Sequence, residues 1–182
     1  MNYNILFAWT RDLPPERKIV DSVSYSEKAL RIHFKDNTDL YLIISNYDAY
    51  PFLSSNPVPI SEETPIWNQL IHSTLIKVSL DDNDRIMRFE FAQTDIYLQE
   101  KTYILIAEFI LPKPNVILTE KNDELIIIDA LKKYSYKDNP QRQILPKLPY
   151  QKPETAFKPH QKDLAFPLVL TSLETGEPIQ CD

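Results

Sequence analysis

One glycine, Gly176, stands against 15 prolines in this chain of 182 residues. That ratio constrains the fold more than any other feature. Glycine supplies the left-handed backbone of the tightest turns and lets a loop close around a phosphate. With none available before position 176, P-loops and dinucleotide-binding fingerprints are excluded. Turns must come from Asn, Asp and Pro, as at Lys35-Asp36-Asn37, Asp82-Asn83 and Lys121-Asn122-Asp123.

Between these turns the apolar residues follow two periods. Ile5, Trp9 and Leu13 recur at four-residue spacing before Pro14-Pro15, which predicts a short amphipathic helix. Thr64-Pro65 supplies a cap and a first-turn proline for a second helix carrying Ile66, Trp67, Leu70 and Ile71. Elsewhere the period is two. Leu30, Ile32 and Phe34 alternate with Arg31 and His33, and Met87, Phe89 and Phe91 alternate with Arg88 and Glu90. Further strands are expected over 18–25, 40–44, 75–80, 103–109, 115–118 and 125–129, while 46–63, with Pro51, Pro57 and Pro59, reads as irregular. The fold class is therefore α+β, mainly an antiparallel β sandwich or partly closed barrel with two short helices.

After Leu131 the pattern changes. Five prolines between 140 and 159 exclude long helices and central strands, and predict an extended arm tied down by Ile144, Leu145 and Tyr150. Residues 1–153 read as one domain and 154–182 as a C-terminal extension linking to further domains. No apolar run is long enough to cross a bilayer, and Met1-Asn2-Tyr3-Asn4 lacks the basic region of a secretion signal. Cys181 can pair only with another chain. A cytoplasmic protein without a membrane partner is expected.

The net charge of −6 is unevenly spread. Residues 132–162 hold eight basic groups against Asp138 and Glu154, a net of +6 on a body that carries −12. A basic strip can bind phosphate locally despite an acidic total, and a solvated lysine-rich tail has the same composition.

Bond-making chemistry finds no constellation here. His33 alternates outward on a strand, His72 falls in the second predicted helix, and His160 lies in the tail. None is spaced with Ser, Cys or Asp as a triad or a metal site requires, so no cofactor, metal or catalytic residue is expected. Asp84-Arg85, at a strand entrance, is by itself a turn acid and a surface ion pair. Strand parity nevertheless brings the Arg85 guanidinium to the rim of an apolar face, where a planar fork suits bidentate phosphate contact. Glu108 at a strand end reads as a solvated carboxylate, Asn115 as a turn residue or nucleotide contact, and Arg142 as an anchor or a phosphate ligand.

In order and spacing these segments resemble the amino-terminal domain of the NFACT family, the fibronectin-binding-protein-like, RNA-associated proteins of ribosome quality control. The resemblance rests on Leu42-Ile43-Ile44-Ser45, Asp84-Arg85-Ile86, Asn115-Val116-Ile117-Leu118, Asp129-Ala130-x-Lys132 and the run from Asn139 through Arg142, Pro146 and Tyr150 to Pro153. It implies similarity to the β-rich domain of formamidopyrimidine-type DNA glycosylases, without their catalytic start. It further implies tRNA binding at the large ribosomal subunit, where charged tRNA is recruited for untemplated tailing of an obstructed nascent chain. By position, Asp84, Arg85, Glu108 and Asn115 would touch RNA, with Arg142, Lys113 and Lys132 beside them and Asp84 orienting Arg85. Phe52-Leu53 stands where the family carries Arg-Ile, and Asn68-Gln69 where it carries Arg-Lys, so fewer cations face the phosphates. The family's older name implies an alternative, an adhesion module that binds fibronectin or another protein without RNA.

Overall fold

Asn2 starts the only α-helix among the described residues. Its side chain accepts a hydrogen bond from the Ile5 amide at 3.1 Å and caps helix α1, Tyr3–Arg11, which buries Leu6 completely. The computed structural model describes residues 2–13, 17–60, 62–82 and 84–154. The rest of these residues form one antiparallel system: β1 (Lys18–Ser26), β2 (Ala29–Phe34), β3 (Asp39–Ile44), β4 (Ala49–Ser54), β5 (Thr64–Pro65), β6 (Thr74–Leu80), β7 (Ile86–Thr94), β8 (Glu100–Glu108), β9 (Asn115–Lys121) and β10 (Leu125–Ala130). None of the described helices is long and apolar enough to cross a membrane.

The strands make a single ten-stranded sheet in the order β10-β9-β8-β7-β6-β1-β2-β3-β4, with β5 added to β1. Only Lys18 and Ile19 of β1 pair with β6, and a register shift between Val20 and Ser22 follows as β1 pairs on along β2. The sheet thus consists of two halves joined by a short hinge of pairing, and their inner faces share one core. Val23, Ile32, Phe34, Leu40 and Leu42 from the second half meet Met87, Phe89, Phe91, Leu105 and Leu118 from the first. The sheet is open, since β4 and β10 end the strand order. The expected mainly antiparallel α+β fold is thus present as an open sheet folded across its own core.

Two further expectations change. The second helix is a 3-10 turn of three residues, Asn68–Leu70. Thr64 and Pro65 pair with Tyr25 and Ser24 as β5, and Trp67 and His72 take left-handed backbone at φ 53° and 69°. The helical spacing of Ile66, Trp67 and Leu70 reflects a loop that dips into the core, with the Trp67 indole donating to Asp129 at 2.8 Å. The irregular stretch 46–63 contains β4, in which Pro51 pairs with Leu42. Proline is tolerated there because β4 is the last strand of the order and its outer edge needs no donor.

The first half-sheet is covered on its second face as well. Ile86, Ile104, Ile106, Ile117 and Ile127 form a smaller outer cluster capped by Ile144 of the arm. That double coverage explains why β8 is apolar almost throughout, because every residue from Tyr103 to Phe109 is buried. The arm also closes the β10 edge. Ile127 N donates to Leu148 O at 2.9 Å, Lys147 N to Ile127 O at 2.8 Å and Tyr150 N to Leu125 O at 2.7 Å.

Candidate nucleic-acid interface

Strand register gathers the singled-out residues at one end of the first half-sheet. Ile86 pairs with Glu108, and Glu108 with Asn115. Phe109 N donates to Arg85 O at 2.8 Å, so the Asp84-Arg85 pair abuts the end of β8. The Asn115 side chain accepts from Lys132 N and donates to Lys132 O, both at 2.9 Å, which fixes Lys132 beside β9. Lys113 stands exposed on the β8–β9 turn. It lines a cleft of about 140 Å³ together with Glu108, Asn115, Tyr134, Asn139 and Arg142. All seven residues expected to touch RNA therefore share this end, although they span 59 positions of sequence from Asp84 to Arg142.

Their environments differ sharply. Glu108 is 4% exposed. Its carboxylate receives Arg142 through both terminal guanidinium nitrogens and the Tyr150 hydroxyl at 2.9 Å. The solvated carboxylate expected at this strand end is thus a buried one with three donors. Arg142 Nε donates to Gln151 O at 2.6 Å, so the arm's own arginine is held inside the protein. Burial pushes the Tyr150 hydroxyl well above its ordinary range, and the neighbouring Glu108 charge pushes it further. Arg142 and Arg88 lie 5.4 and 5.8 Å from the centre of the Tyr150 ring, which gives this phenol two cationic neighbours.

Asp84 is 7% exposed and meets Lys152 Nζ at 2.5 Å. The cation that meets Asp84 here, Lys152, belongs to the arm. Asp81 completes the group, paired with Arg88 at 2.7 and 2.9 Å and with Lys152 at 3.5 Å. Burial raises the Asp81 pKa, yet Arg88 and Lys152 outweigh it and hold the carboxyl below its usual value. Hydrogen bonding to Asp84 raises the Lys152 pKa. Asn115 is a buried strand residue whose amide staples two segments, not a turn residue.

Arg85 stands apart from this network. It is half-buried, and no described residue is bonded to its guanidinium. Lys113 and Lys132 likewise lack an ionic partner among the described residues, and burial lowers the Lys132 pKa. The end of the sheet thus holds two sets of cations: Arg88, Arg142 and Lys152 neutralise carboxylates of the fold, while Arg85, Lys113 and Lys132 have no ionic partner among the described residues. Sequence reasoning missed Asp81, Arg88 and Lys152 as members. The one available signal was spacing, since Tyr150 and Lys152 are two apart on an extended segment and so point to the same side.

Residues 62–175 match the family model described as NFACT N-terminal and middle domains. The chain belongs to this family. The same architecture recurs in solved structures. The N-terminal part of the fibronectin/fibrinogen-binding protein from Streptococcus suis aligns with TM-score 0.72 and 20% identity over 93% of this chain and 66% of that one. The N-terminal domain of fibronectin-binding protein PavA from Streptococcus pneumoniae gives 0.70 and 17%, over 96% and 68%. The fibrinogen binding protein from Staphylococcus aureus gives 0.62 and 17%, over 82% and 54%. At these identities the likeness is one of fold, and this NFACT chain spans about two-thirds or less of the solved chains. A comparison with curated proteins returns no match.

Proposed function

We propose that this NFACT domain is a non-catalytic binding module that holds RNA, tRNA above all, at the sheet end marked by Arg85, Lys113 and Lys132. The observation that carries the reading is Arg85, half-buried at the end of the first half-sheet opposite Phe109, its guanidinium without a bonded partner among the described residues. A planar cation already partly desolvated and positioned by strand pairing is suited to a bidentate phosphate contact. Arg142, Lys152 and Glu108 act differently in this account, building and stiffening the sheet end at which Arg85 stands. In this reading residues 1–153 form the RNA-holding unit and 154–182 a C-terminal extension. The work is cytoplasmic, on the large ribosomal subunit that carries an obstructed nascent chain.

A salt titration of tRNA binding tests this. Affinity falls steeply with salt, and Arg85→Ala lowers it about tenfold while reducing the salt slope by about one ion. Indifference to salt, or unchanged affinity in Arg85→Ala, overturns the reading. One observation favours a second reading. The similar solved proteins are described by fibronectin or fibrinogen binding, and this chain carries −6 with two arm cations already occupied. Saturable binding of fibronectin or a ribosomal protein with no affinity for RNA decides for a protein-adhesion module.

A further inference from the structure

Beside helix α1 a cleft of about 280 Å³ opens between the two half-sheets. Leu40 lines it from the second half-sheet, Val78 and Phe89 from the first, and Trp9 from α1. Leu40 and Phe89 are 1% and 0% exposed, so the cleft reaches down to the main core. Interiors pack at crystal density, and apolar walls around a space of this size forgo the contacts that a filled core supplies. An apolar cavity of roughly 150 Å³ holds a benzene ring, so this one has room for an alkyl chain of about ten carbons.

The charges around the cleft are of one sign. Among the described residues its lining includes Arg17, Lys18 and Lys77 and no acidic side chain, although the chain has 26 acidic residues against 20 basic. Lys18 belongs to the fold: it is 8% exposed, and its ammonium donates to Asp36 at 2.5 Å and Thr38 at 3.0 Å. Arg17 and Lys77 are exposed and have no ionic partner among the described residues. Apolar walls reward the burial of hydrocarbon, and a carboxylate gains charge-assisted hydrogen bonds from guanidinium and ammonium groups. We propose that this cleft binds a single-chain amphipathic carboxylate, its alkyl chain between the half-sheets and its head at Arg17 and Lys77. None of the lining residues belongs to the sheet end that carries Arg85, so the site is independent of RNA binding.

Titration of the full chain with sodium decanoate, followed by calorimetry and by indole emission, tests the proposal. Decanoate binds saturably at one site per chain, below the concentration at which it forms micelles. Trp9 lines the cleft, so its emission changes as the ligand enters. In Trp9→Phe that change disappears while the calorimetric binding persists. Joint replacement Arg17→Gln and Lys77→Gln, at two exposed positions, weakens decanoate about fivefold and leaves decanol binding unchanged, because only the charged head loses partners. Absence of saturable binding, or binding by micelles alone, overturns the proposal. So does an emission change that survives Trp9→Phe, which places the ligand elsewhere. Equal decanoate affinity in the double glutamine variant, or acetate binding as tightly as decanoate, overturns it as well.

Discussion

The two ends of the β7–β8 hairpin reverse the usual distribution of side chains in opposite ways. At one end two carboxylates are buried, Asp84 and Glu108, and are met by Lys152 and Arg142 of the arm. At the other, Ile96, Tyr97 and Leu98 stand in water. Buried charges are costly unless paired, and here each carboxylate is met by a cation from the arm. The exposed apolar tip has no such partner. An unusual side chain that the fold satisfies is architecture, and one left unsatisfied calls for something outside the fold. By that criterion Arg85, and not the more conspicuous Arg142, is the cation on which the proposed function rests.

The largest effect that would break this comparison concerns Arg142. Its replacement by Ala leaves Glu108 buried with one donor, the Tyr150 hydroxyl, and should lower the unfolding free energy by about 3 kcal/mol in urea denaturation. A loss below about 0.5 kcal/mol, accompanied by lost RNA binding, would make Arg142 a ligand residue and erase the distinction. Tyr150→Phe removes one hydrogen bond to Glu108 and keeps the ring between its cations. A cost of about 1 kcal/mol is expected in the same assay.

Acid supplies a graded version. Asp81 has a folded pKa below its unfolded value, so its contribution is complete above the unfolded pKa of about 4 and is lost as pH falls through the lower folded value. Asp36 behaves alike: burial raises its pKa, but hydrogen bonds from Lys18 and Thr38 bring it down to about 2. The melting temperature should stay level above about pH 4.5 and decline towards about pH 2, and a protein as stable at the bottom of that range would contradict the assignments. The smallest stability change belongs to Arg85→Ala, within about 0.5 kcal/mol of wild type, because no described partner loses a bond.

Period-two apolar patterns located most strands of the first half-sheet because each alternates, or runs continuously apolar, for a physical reason. Met87, Phe89 and Phe91 face one core, and β8 faces two. Strand β4 was hidden by Pro51, since a sequence does not announce which strand will lie at an edge. The false second helix arose because Trp67 and Leu70 enter the core from a loop at a spacing that imitates a helical face. For the site, the residue types at the sheet end were legible through the family resemblance, while their pairing was not. Lys152 reaches Asp84 across 68 positions, and only the path of the arm along β10 brings them together.

That path has a consequence for the margins of the sheet. An open sheet ends in two rows of unsatisfied peptide groups, either of which can recruit a strand from a neighbouring molecule and seed a fibre. Here one margin is occupied by residues 147–150 of the same chain, and the other is interrupted by Pro51, which has no amide hydrogen to offer. Growth of ordered aggregates through strand addition is thereby discouraged at both borders without any charge placed there for the purpose.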